Sequence, residues 1–332
     1  MTPVPHRAVT TVLTLVVPGA LVASTFVVAG AWSAELPDPV AVHFGTDGPD
    51  GFASLAGALW PVALGSAVVA VLCWALAFFW GRTAVVRRIC AGTAVGLTAF
   101  LSALTVGLLD AQRGLADAAD VGGTGLVITL AFVVGLAGAA IGAWLTPGDR
   151  RQPTGAPVPP DAAVLDLAPD ESATWVTHAE SRAALVVGAS VTVLMVALGL
   201  LLSAPFVLVP AVVVAAAVLS STWFTVTVDR RGLTVRSAVG WPRFVVPLDE
   251  VLKAEVVGVR PFPEFGGWGY RVGRGGRVGV VLRTGDGLQV ERTGGRAFVV
   301  TVDDAATGAA LLNTLATRAR VEPTARDTRG TR

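Results

Sequence analysis

Five stretches of this chain contain no Asp, Glu, Lys, Arg or His: residues 8–34, 51–81, 89–109, 121–148 and 183–228. A helix needs about 20 apolar residues to cross the hydrocarbon core of a bilayer. Every backbone group must also be bonded within the segment, since lipid supplies no partners. All five runs meet that length. The last is too long for one crossing, and Ala204-Pro205 near its middle is a place where a second helix can start. The pattern predicts six spans, at about 10–32, 57–80, 89–109, 124–145, 183–203 and 206–223. Composition agrees: 53% of residues are hydrophobic and 15% charged, whereas about a quarter are charged in soluble domains.

The formal net charge of +1 conceals an asymmetry, because residues 1–223 carry 8 basic and 13 acidic side chains and residues 224–332 carry 17 and 11. Arg7, Arg82, Arg87, Arg88, Arg150, Arg151, Arg182, Arg230 and Arg231 all fall on one side of a six-span arrangement, and only Arg113 on the other. Short cytoplasmic loops accumulate Lys and Arg, so both termini are predicted to be cytoplasmic. The external loops then hold Glu35, Asp38, Asp47, Asp50, Asp110, Asp117 and Asp120. Ala29-Gly30-Ala31 fits a signal-peptide cleavage site, but the preceding apolar core is long for one, and an uncleaved anchor is expected.

The predicted spans contain no Asp, Glu, Lys, Arg or His, which argues against proton relays and ion pathways. Gly92-xxx-Gly96 and Gly138-xxx-Gly142 suit close helix packing. Cys73 and Cys90, the two cysteines, read as small buried hydrophobes and exclude a disulfide scaffold.

The first external loop, residues 33–56, is shaped. Val40, Val42 and Phe44 alternate as in a short strand, and residues 46–51 are dense in turn formers. His43, Asp47 and Asp50, with Glu35 or Asp38, could ligate a divalent ion; a structural turn is the competing reading, and a peptide or lipid ligand at this surface is a third. Leu36-Pro37, His43-Phe44, Gly48 and Asp50-Gly51 resemble the signature of a bacterial membrane-protein family defined by a domain of unknown function. That family includes the SdpI-type toxin-immunity and signalling proteins, so the resemblance implies such a role. The chain departs from the family at Gly45, where many members have Asn, and at Ser54-Leu55, where many have Lys.

Residues 146–182 are rich in proline and predict an extended, flexible cytoplasmic linker; Asp170 to Arg182 is compatible with helix, and Trp175 suits a membrane interface. Residues 224–318 change to period two. Phe224, Val226 and Val228, Leu233 and Val235, Leu288 and Val290, and Phe298, Val300 and Val302 mark strands. A helix follows, capped by Asp303 or Asp304 and striped by Leu312, Leu315, Ala316 and Ala319, with a disordered tail over 319–332. The fold class predicted is thus a multi-pass helical membrane domain of six helices followed by a β-rich domain of six or seven antiparallel strands with a C-terminal helix. This arrangement, with the stretch 257–284, resembles bacterial pleckstrin-homology-like domains. Within it Arg260, Arg271, Arg274 and Arg277 lie among Phe262, Phe265, Trp268 and Tyr270. Such a surface suits anionic lipid or a protein partner; a solvated basic face with aromatics closing the barrel is the alternative.

The function that fits is a non-enzymatic membrane protein with a sensing, signalling or toxin-immunity role. Its partners would be the bilayer of a bacterial plasma membrane, a cytoplasmic protein bound through 224–318, and an external peptide or lipid. The alternative is a small-molecule transporter or permease. His6, His43 and His178 are the only histidines, and the span pattern places His43 outside and His178 in the cytoplasm, so no Ser-His-Asp or multi-histidine site assembles from them. No cofactor is expected. Nucleic acid is not expected either, since the positive charges of 224–318 are spread over many strands.

Overall fold

The computed structural model describes residues 4–45, 48–168 and 170–327. Five helices are long and apolar enough to cross a membrane: α1 (Arg7–Ala31), α2 (Leu55–Trp80), α3 (Ala84–Asp110), α4 (Thr124–Leu145) and α5 (Arg182–Leu201). The sixth predicted span is shorter, a 3₁₀ turn at Pro205–Val207 leading into α6 (Leu208–Ser221). α3 starts at Ala84 and so takes Arg87 and Arg88 into its first turns, which the charge pattern had assigned to a loop. The chain forms two compact units, residues 1–149 with 196–210 and residues 150–195 with 211–332.

In the first unit, α3 and α4 meet along the two glycine faces. A Cβ on Gly96 would come within 2.6 Å of Ala139 Cβ, and one on Gly142 within 2.8 Å of the Ala91 carbonyl oxygen. Only hydrogen at these positions lets the backbones approach so closely. Cys73 and Cys90 are free and pack with Ala77 and Ala94 between α2 and α3. At one end of this unit lies a two-stranded hairpin, β1 (Val40–Gly45) with β2 (Gly48–Ala53).

The second unit begins with a departure from expectation. The segment read as a flexible linker is extended but bonded along its length to the β-rich core. The N–H of Gln152 reaches Glu250 (2.9 Å), that of Thr154 the Asp249 carbonyl (2.8 Å), and that of Leu165 the Thr314 hydroxyl (2.8 Å). Asp161 pairs with Lys253 at 3.0 Å and Ala162 is buried. Proline content correctly signals extension, but extension allows docking as readily as freedom. Pro169 lies outside the described residues.

The helix-compatible stretch and its interfacial tryptophan are likewise corrected. Trp175–Glu180 is a strand, β3, and Trp175 is buried against Gly308, with its indole N–H directed to Asp304 at 3.4 Å. β3 pairs antiparallel with β4 (Trp223–Asp229), the strand that follows α6. α5 and α6 are therefore a helical excursion between two neighbouring strands, and the chain returns from it to the sheet that it left.

β4, β5 (Gly232–Ser237) and β6 (Arg243–Pro247) complete a four-stranded sheet in the order β3-β4-β5-β6. A five-stranded sheet has the order β7-β10-β11-β9-β8, built from β7 (Val251–Val259), β8 (Gly269–Val272), β9 (Val278–Val281), β10 (Gly285–Arg292) and β11 (Arg296–Thr301). A one-turn helix, α7 (Pro261–Phe265), precedes β8. The period-two residues Phe224, Val226, Val228, Val235, Leu288, Val290, Val300 and Val302 are all fully buried. The all-antiparallel expectation fails at one place, since β11 pairs parallel with β9.

The last helix, α8 (Ala305–Asp327), buries Leu312, Leu315 and Ala316 as its stripe predicts, and its Asp304 cap accepts from the Thr307 hydroxyl at 2.7 Å. It continues through residues 319–327, which the sequence had assigned to a disordered tail.

Candidate functional site

The β1–β2 hairpin is the most elaborated polar feature of the membrane unit. Its lead-in packs down: Trp32 and Leu36 join Ala29, Val40, Leu59 and Leu109 in one apolar cluster, and Pro37 is buried. The register is Ala41↔Phe52 and then His43↔Gly51, so Val42 is an unpaired bulge residue. The bulge breaks the alternation expected from sequence. Val40 and Ala41 are both buried, Val42 is exposed, and Phe44 packs beside the Ala41, Ala118 and Val121 cluster.

Two residues just past α3 fasten the hairpin. Gln112 is fully buried; its amide oxygen accepts the Ala41 N–H (2.7 Å) while its NH₂ donates to the Ala41 carbonyl (3.1 Å) and to the Leu108 carbonyl (2.9 Å). Arg113 reaches Glu35 at 2.7 Å and Asp110 at 3.0 Å, and lies 4.5 Å over the Trp32 ring. Its hydrogen bonds to Glu35 first and to Asp110 second push its guanidinium above its ordinary value. Sequence reasoning saw Arg113 as an exception to the charge rule. It is the tie between the loop and α3.

On the outward face, His43 Nδ1 lies 2.5 Å from Asp50 Oδ1, and both side chains are largely exposed. Three glycines of the hairpin sit at tight places, Gly48 and Gly51 from the signature and Gly45 where the chain departs from it. A Cβ on Gly51, directly across from His43, would come within 2.7 Å of the His43 Cβ, and one on Gly45 within 2.8 Å of Asp50 Oδ2. Gly48 opens β2 at φ +123°, a left-handed backbone that favours glycine. The Asp50 carboxylate accepts from Nδ1 and so fixes the orientation of the ring on the hairpin. Asp47, the third member of the proposed metal set, lies outside the described residues, and Glu35 is engaged by Arg113. Among the described residues no three His, Cys, Asp or Glu side chains are grouped to hold a metal ion.

At the opposite end of α3, Arg87 is fully buried. It donates to the Gly81 carbonyl (2.8 Å), the Pro147 carbonyl (3.1 Å) and Asp149 (3.0 Å), while Asp149 also accepts the Ala84 N–H (2.9 Å). One side chain thus closes the α2–α3 connection and the exit of α4. Its sequence signal, one arginine in a cluster of three, gives no hint that it differs from Arg82 and Arg88.

The basic and aromatic segment of the β-rich unit divides into parts. Arg277 lies 2.8 Å from Glu264 and 5.2 Å over the Phe265 ring. Burial pushes the Glu264 carboxyl up, but the Arg260 N–H and Arg277 outweigh it and hold it below its usual range. Arg271 donates to the Trp268 carbonyl (2.8 Å), Trp268 meets Phe262 edge-on at 5.0 Å, and Tyr270 stacks on Phe244 at 4.0 Å. Arg260, Arg271 and Arg274 are exposed, and Arg277 is half-buried. Compared with known proteins, the chain matches no family model, no curated protein and no solved structure. What the fold itself establishes is an integral multi-pass membrane protein with a β-rich, membrane-tethered unit.

Proposed function

We propose that the protein is a non-enzymatic sensor or immunity protein of the bacterial plasma membrane, displaying the β1–β2 hairpin outside and holding the β-rich unit in the cytoplasm. The SdpI-type signature supports the role, and the arginine distribution supports the orientation. Two sheets with a C-terminal helix support reading the β-rich unit as a pleckstrin-homology-like interaction module.

One observation carries this reading. α3 bears the hairpin's clasp, Gln112, just beyond its last turn and the Arg87 node in its first, and its glycine face is locked to α4. Arg87 grips Asp149, and the chain continues from there into Arg151 and Gln152, which are bonded to Asp249 and Glu250. A ligand that pulls on the hairpin pulls on the helix whose other end is fixed by Arg87. Packed, discrete elements of this kind are what energetic coupling travels through.

The test is complementation of a null strain by two variants that still insert: His43→Ala with Asp50→Ala, and a chain lacking residues 224–318. Both should fail. Full complementation by the truncated chain would overturn the reading, and substrate uptake by the intact protein in proteoliposomes would replace it with a permease.

A further inference from the structure

The four-stranded sheet presents an exposed apolar surface at the end where α5 and α6 join it. α6 ends at Ser221, and the Thr222 carbonyl accepts the Ser181 N–H at 3.0 Å, so residues 181 and 222 mark the level where helices give way to strands. β4 runs away from that level and β5 returns to it, pairing Phe224 with Ser237. The turn between β5 and β6 is tied to the same level, because the Ala238 N–H donates to the Trp223 carbonyl at 3.0 Å. Its tip is apolar: Trp241 is 77% exposed and Val239 60%, with Trp223 at 48% beside them.

Arg236 and Arg243 flank the tip, opposed in register, and both are exposed. Arg236 donates to the Gly240 carbonyl at 3.3 Å, bracing the turn. Tryptophan with its ring at headgroup depth, and arginines beside anionic phosphates, are the usual occupants of a membrane interface.

We propose that the β5–β6 turn is a bilayer anchor. Trp241 and Val239 enter the headgroup region of the leaflet that α5 and α6 cross, and Arg236 and Arg243 rest on lipid phosphates. The β-rich unit is then attached at two places, the helical excursion and the turn, which fixes its tilt over the membrane. The Arg260–Arg277 segment is not needed for this attachment.

The experiment uses the full-length protein in phosphatidylcholine and phosphatidylglycerol vesicles, with a nitroxide on Val239→Cys. The reference site is Arg231→Cys at the far turn, and the wild type reports any labelling of Cys73 and Cys90. The label at 239 should collide with oxygen and be shielded from a water-soluble nickel chelate, while the label at 231 meets the chelate freely. Adding Trp241→Asp should return the 239 label to the chelate. Equal chelate access at 239 and 231 would overturn the anchor. So would a 239 label shielded from both reagents, which indicates a protein neighbour, or one whose depth ignores Trp241→Asp.

Discussion

Gln112 and Asn313 perform the same operation in the two units, with different surroundings. Each side chain is fully buried and grips one alanine of a strand through both backbone groups, Ala41 at 2.7 and 3.1 Å and Ala254 at 2.8 and 2.8 Å. The third bond separates them. Gln112 returns to its own helix at Leu108, whereas Asn313 reaches the Ala163 carbonyl of the extended segment at 2.9 Å. Beyond Ala41 the hairpin turns outward to His43 and Asp50; beyond Ala254 the sheet continues into β10. The same amide therefore holds out a displayed element in one unit and closes a core in the other.

Asn313→Leu should have the largest effect. It leaves the buried Ala254 N–H and C=O without partners and breaks the bond to the exposed Ala163, and at about 1–3 kcal/mol for each buried group left unsatisfied the loss is about 2–6 kcal/mol. Amide exchange of the full chain should show protection falling across β7 and segment 151–168 together. Gln112→Leu should cost about 2–3 kcal/mol, and the loss should be confined to residues 40–53. If protection along α3 and α4 fell as well, the hairpin would be part of the bundle core, and the contrast between display and closure would not hold.

A smaller effect should follow acidification. Burial raises the Glu250 carboxyl, but the Gln152 N–H, Arg292 and Arg296 outweigh it and hold it below its ordinary 4.5. A depressed carboxylate contributes stability that is fully present above the unfolded value and lost as pH falls through the folded one. Residues 151–154 should therefore loosen below about pH 4.5 before the sheets do, and Glu250→Gln should loosen them at every pH and remove the dependence. Proteolysis of that segment across pH reads both outcomes.

The sheets and spans were legible because their signals are local: uncharged runs of bilayer length, and period-two apolar residues that are all buried. The places that were missed depend on partners far along the chain. Residues 151–168 look like free linker until Asn313, Thr314 and Arg318 supply partners roughly 150 positions away. β3 was hidden because its partner strand lies beyond two helices. Arg87 and Arg88 are adjacent, yet only Arg87 is fully buried, and a charge count cannot separate them. In the hairpin, His43 and Asp50 were visible as residue types, but their pairing rests on a bulge at Val42 that alternation does not foresee.

The smallest expected effect on stability bears most directly on function. His43 and Asp50 are 73% and 56% exposed at the side chain, and exposed ion pairs are worth about 0–1 kcal/mol. His43→Ala and Asp50→Asn should each leave thermal unfolding within about 1 kcal/mol of the parent, because Gln112, Arg113 and the apolar lead-in hold the hairpin without them. Such a pair contributes little to the fold, which leaves its exposed face available for contact. If either substitution instead unfolded the hairpin as far as Gln112→Leu does, with amide exchange over residues 40–53 as the readout, the pair would belong to the scaffold. The displayed face would then have to be sought at Val42 and Phe52, the exposed apolar residues beside it.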